Sequence, residues 1–161
     1  MDQAPRLDRI ALVVDDDTFV ASALAELLGE DGYTVHQASN GFSAVRLAVE
    51  LRPAVVLLDL ALPERSGQEV LGDLRADPAT RDLAVIVVTG HPEGVSDSLL
   101  TELDGLVIKP FDTDQVLAAV HRAVQHVSGR WASVAPVAAT THREAGPRVR
   151  KSAAGRRARG R

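Results

Sequence analysis

Apolar and polar positions alternate along the chain in blocks, and five of the apolar blocks have the composition of β-strands. They are rich in valine, isoleucine and leucine, and they cover residues 9–14, 33–38, 54–59, 83–89 and 105–109. Four of these blocks are almost continuously apolar, which is typical of strands that are covered on both faces. The pattern therefore predicts a sheet that lies inside the molecule.

The segments between the predicted strands have the spacing of amphipathic helices. The first of them carries an apolar stripe at Val20, Leu24, Leu27 and Leu28, positions that share one helix face. A strand followed by a helix, five times in succession, predicts right-handed crossovers and a parallel sheet with helices on both faces. We therefore expect a doubly wound α/β fold with five strands and five helices.

Residues that favour helix N-caps precede most of the predicted helices: Asp17, Asn40, Ser66, and Asp112 or Thr113. The fourth helix is the weakest, because residues 93–105 contain few strong helix formers. We expect that helix to be short or irregular and to end by Asp104.

The composition is that of a globular protein, with 45% hydrophobic and 25% charged residues. At 161 residues the chain fits one domain with an appendage. No apolar stretch reaches the roughly 18 residues needed to cross a bilayer, so we expect no membrane insertion. The absence of cysteine excludes disulfides and thiolate metal sites and favours a cytoplasmic location.

The charge is distributed unevenly along the chain. Residues 128–161 hold nine of the 18 Lys and Arg residues but one of the 22 Asp and Glu residues, which gives this tail a net charge of +8 and residues 1–127 a net charge of −12. The tail has no periodicity and is rich in Ala, Gly, Pro and Arg, so we expect it to be disordered. The predicted organisation is an N-terminal arm (1–8), a folded domain (9–127) and this basic tail.

Polar side chains with useful chemistry follow four of the predicted strands. Asp15 and Asp16 follow the first strand, Asp59 the third, Thr89 the fourth and Lys109 the fifth. The carboxyl ends of parallel strands meet at one edge of the sheet, which is where such folds bind ligands. We therefore expect these five side chains to converge.

The convergence of three carboxylates has a chemical consequence. Each negative charge raises the pKa of its neighbours, so the group needs a cation to stay ionised. Oxygen ligands without histidine or cysteine favour Mg²⁺ or Mn²⁺, and Mg²⁺ is often shared with a phosphate oxygen. With Asp59 as nucleophile and with Lys109 and Thr89 to contact phosphoryl oxygens, the pattern predicts a Mg²⁺ site for phosphoryl transfer.

Four motifs give the chain a family resemblance: LVVDDD, LLDLALPERSG, VVTG and VIKPF, in this order over residues 9 to about 127. With these motifs the chain resembles the receiver domain of two-component response regulators, in particular the stand-alone, chemotaxis-regulator-like kind. The resemblance implies a flavodoxin-like fold with the strand order 2-1-3-4-5.

The resemblance also implies a role for each polar residue at the strand ends. These roles are phosphoacceptor for Asp59, Mg²⁺-binding acidic pair for Asp15 and Asp16, switch hydroxyl for Thr89 and phosphate-binding lysine for Lys109. The backbone carbonyl of Ala61 would be a further Mg²⁺ ligand, and Pro110 matches the position of a cis-proline. Asp17 is interpreted differently, as the N-cap of the first helix.

Three features differ from the family pattern. Leu106 stands where an aromatic ring is usual, which alters the usual readout of the switch hydroxyl. The interval from Thr89 to Lys109 is shorter than usual, and the deficit falls on the fourth helix. Ala61 and His91 occupy the two positions over the phosphoryl group, where they are expected to change its lifetime.

The resulting interpretation is a single-domain response regulator. It takes a phosphoryl group on Asp59 from a sensor histidine kinase or a histidine phosphotransfer protein and then binds an unidentified downstream protein. We expect no enzymatic activity beyond its own phosphorylation and dephosphorylation. Three alternatives stay open: nucleic-acid binding through the basic tail, a scaffold built on a degenerate receiver, and a phosphohydrolase, for which Ala61 stands where a second acid is usual.

Overall fold

The computed structural model describes the backbone of residues 9–141 and the side chains of residues 9–129. The strands are β1 (Ile10–Val14), β2 (Thr34–Ala38), β3 (Val55–Leu58), β4 (Ala84–Thr89) and β5 (Gly105–Ile108). The helices are α1 (Thr18–Glu30), α2 (Gly41–Leu51), α3 (Gly67–Ala76), α4 (Asp97–Leu100) and α5 (Thr113–Thr141). The predicted N-terminal arm, residues 1–8, lies outside the described residues.

All five strands are parallel and lie in the order β2-β1-β3-β4-β5, which confirms the predicted doubly wound α/β fold. The sheet grows from β1 in two directions, to β2 on one side and to β3 on the other. A crevice therefore opens at the carboxyl ends of β1 and β3. In the pairing register Val14 lies beside Leu58, so the next residues, Asp15 and Asp59, start side by side.

Two apolar layers enclose the sheet, because successive residues of a strand point to opposite faces. Ala11 and Val13 of β1 pack in the layer with α1 and α5, whereas Leu12 and Val14 pack in the layer with α2 and α3. The strands β3 and β4 are buried along their whole length, which is why their sequences are continuously apolar. Each fully buried Leu or Val side chain contributes about 1.5–3 kcal/mol to the stability of the fold, so these layers hold the strand ends in place.

The helices α1, α2 and α3 begin at the predicted N-caps Asp17, Asn40 and Ser66. Oδ1 of Asp17 accepts hydrogen bonds from the backbone N–H groups of Phe19 (2.9 Å) and Val20 (3.3 Å). Ser66 forms a capping box with Glu69 at the start of α3. These caps fix the first turns of α1 and α3 next to the carboxyl edge of the sheet.

The fourth helix has four residues, so it is short as predicted. Its connection to β5 is fastened by Arg75 of α3. The guanidinium donates to the carbonyls of Arg81, Leu83 and Glu102, at 2.7 Å in each case. It also pairs with Asp104 at 3.0 Å. These contacts hold Asp104, the residue directly before β5, next to α3.

The fifth helix is longer than predicted. It continues to Thr141, so residues 128–141 of the tail that we expected to be disordered are helical. Alanine, the best helix former, is frequent in this segment, and extending an existing helix is far easier than starting a new one. The rest of the tail, residues 142–161, lies outside the described residues, and its disorder stays a prediction.

Candidate functional site

Two buried carboxylates form the centre of the site. Asp15 and Asp59 are 3% and 6% exposed, at the carboxyl edge of the sheet. Their backbone N–H groups extend the sheet by one residue, because Asp15 N donates to Ala38 O (3.1 Å) and Asp59 N donates to Val14 O (2.9 Å). A residue whose backbone belongs to the hydrogen-bonded ladder has little freedom, so both carboxylates are held in place.

Lys109 brings a positive charge to these two carboxylates. Its Nζ lies 2.9 Å from Oδ2 of Asp15 and 3.3 Å from Oδ2 of Asp59. Its backbone N–H donates to the carbonyl of Thr89 (2.8 Å), and its bond to Pro110 is cis, as the family resemblance implied. The three charged groups therefore form one network across the ends of β1, β3 and β5.

Asp16 completes a set of three carboxylates. Single oxygens of Asp15, Asp16 and Asp59 lie within 4.8 Å of one another, with Asp16 on the solvent side. The backbone N–H of Asp17 donates to Oδ1 of Asp15 (2.9 Å), so the residue that caps α1 also orients a carboxylate of the set. Within the described part of the chain, no second cluster of this kind is present.

The electrostatics of the network favour a divalent cation. Burial raises the pKa of Asp59 and the Asp15 carboxylate raises it further, against the lowering effects of the Ala61 N–H and Lys109, so the pKa lies above its ordinary value. Burial lowers the pKa of Lys109, but hydrogen bonds and charges from Asp15 and Asp59 outweigh it, so that pKa is raised. Three carboxylates stand beside one ammonium, so the site can carry more negative than positive charge, and a bound Mg²⁺ would neutralise that surplus.

Thr89 and Ala61 flank the carboxylates. Thr89 is 2% exposed at the end of β4, and its Oγ1 accepts a hydrogen bond from the backbone N–H of His91 (3.0 Å). A hydroxyl that accepts one bond still has its own hydrogen to donate. Ala61 is exposed, and its N–H donates to Oδ1 of Asp59 (3.2 Å). All the predicted residues thus lie at one edge of the sheet, whereas the Ala61 carbonyl as a ligand stays a prediction.

Close backbone packing around the site was not predicted. A Cβ atom at Gly67 would lie 2.3 Å from the carbonyl oxygen of Asp59, and one at Gly41 would lie 2.8 Å from Cβ of Arg65. Both positions therefore need a residue without a side chain. Each glycine directly follows an N-cap residue, Asn40 or Ser66, and this pairing is the sequence signal that would have found them.

The chain belongs to the response regulator receiver domain family, whose profile matches residues 11–121. Receiver domains are signalling domains of two-component systems. The transcriptional regulatory protein KdpE of Mycobacterium tuberculosis is 39% identical over 116 residues, which are 72% of this chain and 51% of KdpE. The chemotaxis protein CheY of Listeria monocytogenes is 29% identical over 115 residues, which are 71% of this chain and 97% of CheY.

Solved structures share the fold. The receiver domain of the sensor histidine kinase PA1611 of Pseudomonas aeruginosa, determined with magnesium in its active-site cleft, matches with a TM-score of 0.68 and 24% identity over 73% of this chain and 98% of that one. This chain spans about half the length, or less, of the first regulators that it matches. Over residues 9–141, no helix is long and apolar enough to cross a membrane.

Proposed function

We propose that this receiver domain accepts a phosphoryl group on Asp59 and signals through its phosphorylated state. The observation that carries the proposal is the position of the Asp59 carboxylate, inside a network with Asp15, Asp16 and Lys109. A purely structural ion pair needs one carboxylate, and each further carboxylate weakens folding by repulsion. The surplus of negative charge therefore supports a function that depends on a cation.

Mg²⁺ fits the residues at this position. The donors are oxygens, two of them on buried carboxylates and one on an exposed carboxylate, and Mg²⁺ prefers oxygen ligands while keeping several waters. We assign its protein ligands to Asp15, Asp16, Asp59 and the backbone carbonyl of Ala61. When bound, Mg²⁺ neutralises the carboxylates and the incoming phosphoryl oxygens.

The proposed donor is a phosphohistidine of a sensor histidine kinase or of a histidine phosphotransfer protein. A carboxylate oxygen of Asp59 attacks phosphorus, and the P–N bond to the donor ring breaks. The electron pair of that bond stays on the ring, which takes up one proton from solvent and leaves as neutral imidazole. Lys109 then turns its ammonium from the Asp59 carboxylate to the phosphoryl oxygens, where the charge is greater.

The phosphoryl group changes the charge of the site, and we infer that the β4–α4 loop responds. Phosphorylation adds about 1.5–2 negative charges close to Lys109 and Thr89. Thr89 donates its hydroxyl to the phosphoryl group and draws His91 with it, because the His91 N–H is bonded to Oγ1 of Thr89. Leu106 provides no aromatic ring for a readout on β5. The downstream protein, which stays unidentified, would then recognise the β4–α4 loop. A cytoplasmic location and action as a stand-alone regulator stay predictions.

Phosphoryl uptake is measured with the full chain, acetyl phosphate and MgCl₂. We expect intact-mass spectrometry to show one added phosphoryl group on the wild type and none on Asp59→Asn. Beryllium fluoride with Mg²⁺ is expected to shift the amide NMR signals of Asp59, Thr89 and Lys109. A wild type that takes up no phosphate and shows no shifts would leave the degenerate scaffold as the better interpretation.

Nucleic-acid binding through the tail is a second candidate, and the charge of the tail favours it. Residues 128–161 have a net charge of +8. Contacts between basic side chains and phosphates release counterions, so such binding weakens steeply as salt increases. Duplex DNA is titrated with the full chain and with a variant that ends at Gly129, at low and at raised salt. Equal affinity of the two proteins at low salt would exclude this role of the tail.

A further inference from the structure

The loop that joins β3 to α3, residues 59–66, is folded tightly on itself. The backbone N–H of Arg65 donates to Pro63 O (2.7 Å), and the N–H of Gly67 donates to Leu60 O (2.9 Å). Gly67 also lies directly against the carbonyl of Asp59. A displacement at one end of this loop is therefore transmitted to the other end, where Asp59 lies.

Arg65 connects this loop to the two neighbouring helices. Its guanidinium stacks over the ring of Phe42 in α2, 5.6 Å from the ring centroid, and forms an ion pair with Asp73 in α3. Its Nε is buried and has no hydrogen-bond partner among the described residues. Burial of this unpaired N–H donor costs free energy, which the contact with the Phe42 ring and the ion pair with Asp73 offset.

The start of α2 presses on the same loop. A Cβ atom added at Gly41 would lie 2.8 Å from Cβ of Arg65 and 2.9 Å from its carbonyl oxygen. No side chain fits between the first turn of α2 and the backbone of the loop. The loop therefore has α2 on one side and the Asp73 carboxylate of α3 on the other.

We propose that Arg65 is a positioning residue for the Mg²⁺ site. It holds the β3–α3 loop against α2 and α3, so that the Asp59 carboxylate and the Ala61 backbone stay at fixed distances from Asp15. This role rests on the proposed function, because it assumes that the carboxylates bind Mg²⁺. It acts through the loop backbone, since the N–H of Ala61 is bonded to Oδ1 of Asp59.

The role is testable because simple electrostatics and a positioning role predict opposite changes in Mg²⁺ affinity for the same substitution. Arg65→Met removes a positive charge near an acidic site, and by charge alone the variant would bind Mg²⁺ more tightly. A positioning role predicts weaker binding instead. Arg46→Met is the matched control, because it makes the same charge change on α2. Among the described residues, Arg46 forms an exposed ion pair with Glu50 at 3.6 Å.

The experiment titrates the full chain of each variant with MgCl₂ by calorimetry and amide NMR. We expect Arg65→Met to raise the Mg²⁺ Kd by roughly tenfold, the low end of the range for residues that orient metal ligands. Asp73→Asn and Gly41→Ala are expected to raise the Kd as well, with altered amide signals at Ala61. Arg65→Lys, which keeps the charge but not the planar fork, is expected to lie between Arg65→Met and the wild type.

Thermal unfolding of each variant separates positioning from stability. A loss of global stability lowers Tm but leaves the Kd of the folded molecules unchanged at temperatures well below Tm. A Kd of Arg65→Met and Asp73→Asn equal to that of Arg46→Met would overturn the positioning role alone. If Arg65→Met does not fold, the Mg²⁺ Kd values of Asp73→Asn and Gly41→Ala are compared with that of Arg46→Met instead, and equal values would again overturn the positioning role. A wild type without Mg²⁺ binding would overturn the proposed function, and this role with it.

Discussion

Lys109→Met removes the ammonium that holds two buried carboxylates together. Methionine keeps most of the apolar stem and loses the charge. In the structure, Nζ of Lys109 lies 2.9 Å from Asp15 and 3.3 Å from Asp59, whose carboxylates are almost inaccessible to water. Without the ammonium and without Mg²⁺, these carboxylates face each other with no counter-charge from Lys109, so the folded state is destabilised.

The magnitude follows from the burial of the three groups. Removing one partner of a buried ion pair costs about 3–5 kcal/mol, because a buried charge is left uncompensated. Two features reduce this cost: the Lys109 side chain is 22% exposed, so water screens part of the interaction, and one carboxylate can take up a proton. We therefore expect the free energy of unfolding to fall by about 2–3 kcal/mol at neutral pH.

Urea unfolding followed by circular dichroism measures this loss with and without MgCl₂. At 100 times its Kd, a ligand that binds only the folded state stabilises it by about 2.7 kcal/mol. The substitution removes the Lys109 ammonium, which competes with Mg²⁺ for the carboxylates, so Mg²⁺ is expected to restore most of the lost stability. A Lys109→Met variant as stable as the wild type in the absence of Mg²⁺ would refute the reasoning, and so would a loss that Mg²⁺ does not repair.

Four further substitutions test individual features of the site and of the packing around it. The pKa of Asp59 is raised above its ordinary value of 3.8, so without Mg²⁺ the wild type should lose stability relative to Asp59→Asn as pH rises through the folded pKa. If urea unfolding gives the same difference in the free energy of unfolding between the two proteins at acid and at neutral pH, this expectation is contradicted. Gly67→Ala should destabilise the fold by about 1–3 kcal/mol in thermal unfolding, because its Cβ meets the Asp59 carbonyl. Gly72→Ala in α3 has open space around the added Cβ and should stabilise the fold by about 0.5–1 kcal/mol. Tm shifts of the same sign in the two variants would count against this packing. Arg75→Met should lower the free energy of unfolding by about 3 kcal/mol, because it removes the hydrogen bond to the Glu102 carbonyl and the ion pair with Asp104. The same loss should speed amide exchange at the start of β5, and an unchanged exchange rate would rule this out.

Most of the fold could be predicted from local patterns. The strand β4 is buried at every position, and this burial requires an uninterrupted apolar sequence. Asp17 could be separated from Asp15 and Asp16 because it directly precedes the helical pattern of α1, where an N-cap carboxylate accepts the N–H bonds of the first turn, whereas the other two belong to the carboxylate cluster. The convergence of Asp59 and Lys109 follows from the parallel arrangement, which brings all strand ends to one edge.

The contacts that could not be predicted are those between elements far apart in the sequence. Arg75 meets Asp104 29 residues later, and nothing in either local sequence marks the pair. Arg65 contacts Phe42 of α2 and Asp73 of α3, and the local sequence around Arg65 marks neither contact. The helical segment 128–141 was not predicted because Gly129 and Pro136, which are poor helix formers, lie within it.

The identity of the phosphorylated residue is the most direct test of the proposed function. The full chain is treated with acetyl phosphate and MgCl₂ and then with borohydride, which reduces an aspartyl phosphate to homoserine, and its peptides are sequenced by mass spectrometry. We expect homoserine at position 59 and unmodified aspartate at Asp15 and Asp16, with no conversion when Mg²⁺ is removed by a chelator. Homoserine at position 15 or 16, or unmodified Asp59 under conditions where the chain binds Mg²⁺, would contradict the role of Asp59 as phosphoacceptor.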